Sequence, residues 1–436
     1  MKICVFGLWH LGSVTAACLP NKGFKVIGLD FDDKAVRALN DGIAPVYEPD
    51  LDNLIRNNIQ RGTLSFTTDP LVALKDVDVV WVTYDTPVDD DDKADTAYVE
   101  TKILSIMELV RDGTVIIISS QVPVGFTRRI KNAYAECYPD RKFIFAYSPE
   151  NLRLGKAIRI FENPDRIVIG IGNLEDIEII KPIFLTISSR LEWMGIESAE
   201  MTKHAINSFL ATSVVFANEL AVLCESVGAN AKEVERGLKT DERIGSKAYL
   251  KPGAAFAGGT LSRDINFLIK AEEQYKQINF LWKAVKEGNN YHKDWVKRKC
   301  KNFFKDLNGK KIAVLGLTYK PGTNVIRRSW AIELCLWLSE QQAVIQAFDP
   351  YIQELPDVPI KNIKLKQSIK DALDGVDCII VATEHPDFHE IGEELIASLP
   401  CKIVIDANGF LEKLFSRNKN MQYAAVGRTL HETIRS

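Results

Sequence analysis

The sequence predicts an α/β protein with two doubly wound domains, joined by a long central helix and a helical region. One observation is a succession of short apolar runs, including KICVFG, FKVIGLD, TVIIISS and RIVIGI, separated by helical patterns. Such runs are typical of parallel strands covered by helices on both faces. A second observation is a weak internal repeat, because KKIAVLGLTYKPG and VDCIIVATEHP resemble the earlier KICVFGLWHLG and VDVVWVTYDTP.

A chain of 436 residues exceeds one ordinary domain. We expect the first doubly wound domain over 1–196, the helical region over 197–300 and the second doubly wound domain over 301–436, with the polar stretch 297–306 as a junction. From 197 to 227 the apolar period becomes helical. Its stripe consists of Met201, Ala205, Phe209, Thr212, Phe216, Leu220 and Leu223.

Composition excludes several classes of protein. Lys and Arg total 55 against 58 Asp and Glu, without a long basic stripe, which argues against a nucleic-acid partner. No uninterrupted apolar run approaches the roughly 18 residues that span a bilayer, and the first residues lack a signal-peptide pattern. We therefore expect no membrane partner. The eight cysteines form no CxxC pair, so we expect buried free thiols and a cytoplasmic location.

We expect no metal site. The six histidines form no ligand set, and His385 and His389, although four residues apart, have Pro386 between them. Consecutive carboxylates such as Asp89–Asp92 do not converge easily on one ion, so this run is interpreted as a solvated loop.

A dinucleotide signal follows the first strand. Gly7 and Gly12 are the outer glycines of a GxGxxG frame, and Asp30 closes the second strand. In such a Rossmann-like site the helix N-terminus faces a pyrophosphate, and the carboxylate binds a ribose diol and repels a 2′-phosphate, which favours NAD. His10 and Leu11 belong to the same turn, and Thr86-Pro87 ends a later strand where a nicotinamide ribose would lie.

The middle glycine of the frame is replaced by Trp9. Its side chain would obstruct the approach of the backbone to a pyrophosphate unless the indole turns away. A Rossmann-like domain that binds NAD poorly or not at all therefore remains an alternative.

The whole chain resembles the UDP-glucose/GDP-mannose dehydrogenase family. The resemblance rests on PVYEPDL, SSQVPVGFTR, YSPENLRLGKAI, NPDRIVIG, SAEMTKHAINSFLAT, ERIG, FAGGTLSRD and GLTYKPGTNVIR, together with the opening turn. It implies an N-terminal NAD domain, a central helical region that forms a homodimer, and a C-terminal domain that binds a nucleotide sugar. It also implies oxidation of a primary alcohol to a carboxylate with two NAD molecules, through a thioester on a cysteine.

The resemblance assigns catalytic roles to several residues. Lys203 and Asn207 match the family's catalytic Lys and Asn, and their i, i+4 spacing places both on one helix face. Asp264 matches the aspartate that works with the lysine through water, and Glu150 matches a general base. The substrate-binding positions that the resemblance implies are Arg243, which reaches a neighbouring subunit's site, Phe256, Gly258, Lys320 and Arg327.

The pattern breaks at the nucleophile. Thr260 occupies the cysteine's position, and a hydroxyl is not ionised near neutrality, unlike a thiol with a pKa of about 8.5. Gln121 replaces a catalytic threonine. The remaining departures are Leu154 for a glutamate, Arg263 for a lysine, Asn324 and Val325 for two aspartates, and the absence of an arginine near Asn408.

These features predict an NAD-dependent oxidoreductase of a nucleotide-linked sugar, with UDP as the favoured nucleotide, that performs one two-electron oxidation. Three alternatives stay open. The first is an epimerase or eliminase that retains NAD and passes through a keto sugar. The others are a conventional four-electron dehydrogenase and a non-catalytic subunit that binds NAD or a nucleotide sugar.

Overall fold

The chain forms two compact units, residues 1–206 and 207–436, and each contains its own mainly parallel sheet. In this computed structural model the described residues are 1–89, 93–150, 152–257, 259–278, 280–326, 329–355, 360–415, 418 and 420–428. The predicted α/β class with two doubly wound sheets is confirmed. The expected division at 196 and 300 stays a prediction.

The strands of the first unit pair in the order β3-β2-β1-β4-β5-β6-β7-β8. They are β1 (Lys2–Phe6), β2 (Lys25–Leu29), β3 (Leu64–Thr67), β4 (Val79–Val82), β5 (Val115–Ile118), β6 (Ile144–Tyr147), β7 (Ile167–Ile171) and β8 (Leu191–Gly195). The expectation of parallel strands was wrong for β7, which pairs antiparallel with β6. The chain leaves β6 and enters β7 at the same edge of the sheet, so their connection is a return and not a crossover.

Helices cover both faces of this sheet. They are α1 (His10–Cys18), α2 (Asp33–Asn40), α3 (Leu51–Gln60), α4 (Pro70–Ala73), α5 (Thr96–Ser105), α6 (Phe126–Cys137), α7 (Ala157–Glu162) and α8 (Ile177–Leu185), with 3₁₀ turns at Leu19–Lys22, Met107–Leu109 and Leu174–Asp176. Along β1, Ile3 and Val5 pack into one apolar layer, and Cys4 and Phe6 pack into the other. Burial on both faces explains why the strands are continuously apolar in sequence.

The predicted long helix is α9 (Ile196–Val227). Length and composition alone would let it cross a membrane, but long buried helices pass the same test. Its predicted apolar stripe is largely exposed: Phe209, Phe216 and Leu223 are 70%, 50% and 57% accessible. The opposite face buries polar groups, among them Glu200, Lys203 and Asn207. The sequence pattern therefore identified the helix, but through its exposed face.

The second unit repeats the architecture with the order β11-β10-β9-β12-β13-β14, all parallel. Its strands are β9 (Lys311–Leu315), β10 (Val344–Phe348), β11 (Ile363–Leu365), β12 (Cys378–Val381), β13 (Ile403–Asp406) and β14 (Gln422–Ala424). Its helices are α10 (Ala231–Thr240), α11 (Thr260–Gln274), α12 (Leu281–Lys293), α13 (Trp295–Phe303), α14 (Trp330–Glu340), α15 (Ile369–Leu373), α16 (Glu393–Ser398) and α17 (Glu412–Phe415), with a 3₁₀ turn at Pro386–Glu390. Helix α13 occupies most of the stretch expected to be a junction.

Gly288 allows α12 to pack closely on the part of α9 that lies in this unit. A Cβ at Gly288 would lie 2.6 Å from the Glu219 carboxylate and 2.7 Å from the Val215 side chain. This close approach positions the polar residues of both helices that are described below.

Candidate active site

The opening glycine turn lies at the switch point of the first sheet, where β1 is flanked by β2 on one side and β4 on the other. In open α/β sheets, ligands bind outside the carboxyl ends of the strands at such a point. Gly7 has a φ of 99°, which L side chains rarely adopt, and a Cβ there would lie 2.7 Å from Tyr84. The Thr83 hydroxyl donates to the Gly7 carbonyl at 2.7 Å and closes the turn.

Gly12 packs directly on this turn, since a Cβ at Gly12 would overlap the carbonyl oxygen of Gly7. The side chain of Trp9 does not cap α1, so first-turn N–H groups are left for an anion. Trp9 itself has an ordinary φ of −70° and is 50% exposed, so its indole is not packed beneath the turn. The residues present therefore fit a dinucleotide pyrophosphate.

Asp30 lies beside the turn. Its Oδ2 accepts the N–H of Leu8 at 2.7 Å, and its Oδ1 accepts the N–H of Asp32 at 3.1 Å. A carboxylate offers about four acceptor positions. Asp30 can therefore secure the turn and still accept hydrogen bonds from a ribose diol.

His10 and Leu11 have neighbours that the sequence did not reveal. His10 Nε2 lies 3.0 Å from Oε2 of the buried Glu48, which accepts the N–H groups of Gly155 at 2.8 Å and Ala157 at 2.7 Å. Glu48 thereby joins the start of α1 to the start of α7; the only sequence signal for it was the PVYEPDL motif. Leu11 lines an open pocket of about 540 Å³ that Glu150 also lines.

The ends of β4 and β5 are tied together at the same edge of the sheet. The hydroxyl of Thr86 donates to the carbonyl oxygen of Gln121 at 2.6 Å, and both residues are buried. Pro87 follows Thr86, and its carbonyl accepts the N–H of Asp95 at 2.8 Å. Thr86 and Gln121 thus lie together, and their roles in binding and catalysis stay predictions.

Lys203 is buried, 5% exposed, and its ammonium contacts Glu150. Nζ donates to the Glu150 carbonyl at 2.5 Å and lies 3.3 Å from Glu150 Oε1. The other carboxylate oxygen of Glu150 accepts the N–H of Leu152 at 2.7 Å. A buried, oriented ammonium beside a carboxylate is an arrangement suited to proton transfer, and it excludes a solvated surface lysine.

Two residues near Lys203 in the sequence support its position. Glu200 accepts the N–H groups of Gly125 at 2.5 Å and Thr127 at 2.9 Å, and His204 Nε2 donates to the Val122 carbonyl at 3.0 Å. Burial raises the pKa of Glu200, although the bonds from Thr127 and Gly125 act in the opposite direction. Both residues occur in the motif SAEMTKHAINSFLAT, but nothing in their residue types distinguished them.

In the second unit, Asn207 and Asp264 form a buried pair. The Asn207 amide donates to Oδ2 of Asp264, which is fully buried. Asn207 lies one helical turn after Lys203 on α9. Because Lys203 belongs to the first unit and Asp264 to the second, their joint action stays a prediction.

Thr260 is the first residue of α11, and its N-cap, Gly259, has a φ of 102°. A helix N-terminus lowers the pKa of a thiol, but it does not bring an alcohol near ionisation. Thr260 is exposed, so its side chain is accessible to a ligand.

All eight cysteines lie in the described part of the chain, and all are free. The expectation of burial was wrong for Cys137, which is exposed because it lies at the end of α6. Cys224, Cys300, Cys335 and Cys378 belong to the apolar core beneath the second sheet, not to the cluster around α11. Burial raises the pKa of Cys300 and Cys335 to about 12. In the first unit burial likewise raises the pKa values of Cys4 and Cys18 to about 12. In the second unit Cys401 is buried as well, so no cysteine thiol of that unit takes the place of Thr260.

The residues predicted to bind the substrate lie on separate segments of the second unit. Arg243 is exposed and pairs with Asp241, with Nη2 and Oδ2 2.7 Å apart. Lys320 is half-buried in the loop after β9, and Phe256 is half-buried ahead of α11. Gly258 and Arg327 lie outside the described residues.

Within the described residues, no three His, Cys, Asp or Glu side chains form a group that could hold a metal ion. Asp89 takes part in a turn, in which its Oδ1 accepts the N–H of Lys93 at 2.8 Å. The other three aspartates of that run lie outside the described residues.

Comparisons with known proteins match the chain from end to end. The NAD binding domain of the UDP-glucose/GDP-mannose dehydrogenase family matches residues 1–188, its central domain 197–291 and its UDP binding domain 313–413. A UDP-glucose 6-dehydrogenase of Rhizobium meliloti is 32% identical over 98% of this chain and 100% of its own length. One from Rickettsia conorii is 34% identical over 98% of this chain and 99% of its own. The solved structure of a UDP-glucose dehydrogenase from Pyrobaculum islandicum is 28% identical, with a TM-score of 0.89 and 98% of each chain covered.

Proposed function

The chain belongs to the UDP-glucose/GDP-mannose dehydrogenase family, and on that premise we propose that it oxidises a UDP-hexose by one two-electron step and does not form a carboxylate. It is an NAD-dependent dehydrogenase that acts on the CH–OH group of a nucleotide sugar, with NAD as its cofactor. The turn formed by Gly7 and Gly12 and the carboxylate of Asp30 would hold that cofactor. The match to a UDP binding domain supports UDP as the nucleotide.

The observation that carries the proposal is Thr260 at the N-terminus of α11. A second oxidation through a thioester needs a nucleophile that attacks the aldehyde and then loses a hydride from the tetrahedral adduct. A threonine hydroxyl would need a dedicated base to attack, whereas a thiol at a helix N-terminus would be partly ionised. The five cysteines of the second unit are all buried in its apolar cores, so this unit offers the aldehyde no accessible thiol in place of Thr260.

The groups proposed for the first oxidation are retained. In that step the C–H bond of the alcohol carbon breaks, its hydride reduces NAD⁺ to NADH, the hydroxyl proton leaves and a C=O bond forms. We assign the buried Lys203 ammonium to stabilising the alkoxide. Asp264, hydrogen-bonded by Asn207, is assigned as the acceptor of the proton through water, and Glu150 as the group that orients Lys203.

The test measures NADH formed per sugar consumed, with UDP-glucose as the probe, and identifies the product by mass spectrometry. We expect one NADH per sugar and an aldehyde or its hydrate. The Thr260→Cys variant places a thiol at the helix N-terminus, and we expect it to approach two NADH per sugar with some uronic acid.

The Lys203→Ala variant is the control for the first step, and we expect it to form no NADH at a measurable rate. Uronic acid from the unsubstituted protein would overturn the proposal. So would incorporation of deuterium from solvent into UDP-glucose at a carbon, without net NADH, because it would indicate a cofactor that is reduced only transiently.

We also propose that the protein is a homodimer and is cytoplasmic. The exposed stripe of Phe209, Phe216 and Leu223 on α9 supports a protein partner for that face, because large exposed apolar patches mark interfaces. Eight free thiols support a reducing compartment. Sedimentation of the Phe209→Glu variant checks the dimer, since we expect monomer where the unsubstituted protein gives dimer.

A further inference from the structure

The segment of residues 253–256 leads towards the start of α11 and is held by side chains from three separate elements. It is irregular and forms neither helix nor strand, so its main-chain groups have no ladder partners. The main-chain N–H and C=O groups of Gly253, Ala254 and Phe256 nevertheless all have partners, and the partners belong to Asn218, Asn289, His292 and Asn408.

The first half of the segment is bound from α9 and from the second sheet. The N–H of Gly253 donates to Asn218 Oδ1 at 2.9 Å, and Asn218 Nδ2 donates to the Ala254 carbonyl at 3.4 Å. The N–H of Ala254 donates to Oδ1 of Asn408, just after β13, at 2.8 Å. A Cβ at Gly253 would overlap the same Asn408 oxygen, so only glycine permits this approach.

Helix α12 binds both ends of the segment, Gly253 and Phe256. Asn289 acts on Phe256 at two points: its Oδ1 accepts the Phe256 N–H at 3.0 Å, and its Nδ2 donates to the Phe256 carbonyl at 2.9 Å. His292 Nε2 donates to the Gly253 carbonyl at 2.8 Å. Both side chains are buried, 2% and 4% exposed, and burial lowers the pKa of His292. Two bonds from one rigid amide fix the orientation of the Phe256 peptide as well as its position.

The segment also packs against apolar neighbours: Ala254 contacts the apolar core of the second sheet, and Phe256 contacts the cluster around α11. Ala254, Ala255, Phe256 and Ala257 line one side of an open pocket of about 410 Å³. Apolar packing is not directional, so the hydrogen bonds from the four side chains fix the orientation of the peptide groups of the segment. The close packing of α12 on α9 at Gly288 brings Asn289 and Asn218 to the same stretch of backbone.

We propose that Asn218, Asn289, His292 and Asn408 are positioning residues that hold Phe256 and the start of α11 in the conformation that binds the nucleotide sugar. This inference rests on the proposed function and on the substrate-binding role that the family resemblance implies for Phe256. The four residues act through the backbone of the segment, to which their hydrogen bonds go. Such preorganisation reduces the entropy that binding would otherwise cost.

The test compares Asn289→Ala with Gln346→Ala. Gln346 is also a buried amide of the second unit, and it donates to the Asp374 carbonyl at 2.7 Å, away from the segment. For Asn289→Ala we expect the KM for UDP-glucose to rise by about tenfold or more, with the KM for NAD unchanged. For Gln346→Ala we expect neither KM to change, although its melting temperature falls as much as that of Asn289→Ala.

Hydrogen exchange supplies a readout that does not depend on catalysis. We expect peptides covering 253–256 to exchange faster in Asn289→Ala while peptides of the second sheet keep their protection. The Asn289→Asp variant keeps an acceptor for the Phe256 N–H but places a buried carboxylate against the Phe256 carbonyl, and we expect exchange at least as fast as in Asn289→Ala. Two results would overturn the inference. One is faster exchange spread over the whole second unit in Asn289→Ala, and the other is an equal change in KM in both alanine variants.

Calorimetric binding of UDP separates this inference from the proposed oxidation. We expect Asn289→Ala to weaken the binding of UDP-glucose more than the binding of UDP, because UDP lacks the sugar that the segment is proposed to contact. This result would stand even if the product proved to be a carboxylate. Unchanged affinity for both ligands would contradict the positioning role whatever the product is.

Discussion

Asp30 and Asp349 occupy the same place in the two sheets, directly after the second strand of each unit. Each accepts the N–H of the residue that follows a glycine with positive φ: Leu8 at 2.7 Å after Gly7, and Leu317 at 2.6 Å after Gly316. The internal repeat seen in the sequence is thus a repeat of a turn and its carboxylate, not only of strands.

The two switch points differ in what surrounds the carboxylate. Asp349 Oδ2 also accepts the N–H and hydroxyl of Thr318, at 3.0 and 3.1 Å, and Nε2 of the fully buried His385 at 3.1 Å. After Gly7 a helix begins at His10, whereas after Gly316 the next helix begins only at Trp330. A dinucleotide therefore needs more than the sheet: it needs spare acceptor capacity on the carboxylate and a helix N-terminus directly after the turn.

The largest effect is expected from removing the carboxylate of Asp349, which is surrounded by protein donors. We expect Asp349→Ala to lower the free energy of unfolding by about 3 kcal/mol in urea titrations at pH 7, because it leaves buried donors without an acceptor. Asp30→Ala, at the open switch point, should lower it by less than about 1 kcal/mol. Equal losses at the two positions would contradict the distinction.

The loss of stability in Asp349→Ala has a predicted pH dependence. Burial raises the pKa of Asp349, but the hydrogen bonds from His385 and the Leu317 N–H prevail and hold it below its ordinary value. A lowered folded-state pKa means that this stabilisation is fully present above the unfolded-state pKa of about 3.9 and is lost as the pH falls through the folded-state value. The stability difference between the unsubstituted protein and Asp349→Ala should therefore shrink below about pH 4.

A second effect is expected at α1, the helix that follows the turn at Gly7. In Gly12→Ala the new methyl group would overlap the Gly7 carbonyl, and the turn must shift. We expect the Kd for NAD to rise about 100-fold in calorimetry, with UDP binding unchanged. Gly237→Ala is the control, because a Cβ in the helix at Gly237 meets no atom within 4 Å. Weakened UDP binding in Gly12→Ala would show a global change instead.

The smallest effect is expected from the charge of Asp30. Asp30→Asn keeps an acceptor for the Leu8 N–H but removes the negative charge that repels a 2′-phosphate. We expect the preference for NAD over NADP, measured as a ratio of kcat/KM values, to fall about tenfold. Asp349→Asn should leave that ratio unchanged. A change at Asp349 would place a second cofactor determinant in the other sheet.

Local patterns predicted much of this molecule. The apolar runs predicted the strands, the helical period predicted α9, and the glycine spacing predicted the turn that Gly12 packs against. Contacts between residues far apart in sequence could not be predicted. Glu48 binds Gly155 and Ala157, and Asn408 binds Ala254, and neither pairing has a local pattern. The antiparallel direction of β7 could not be predicted either, because it depends on which edge of the sheet the chain re-enters.

The most direct test of the central claim follows the fate of the oxidised carbon. UDP-glucose labelled with ¹³C at C6 is incubated with the protein and excess NAD, and the product is observed by NMR without isolation. The single oxidation predicts a signal from an aldehyde hydrate that persists after NADH formation stops, and a carboxylate signal only in the Thr260→Cys variant. A carboxylate signal from the unsubstituted protein, growing as the second NADH forms, would contradict the account.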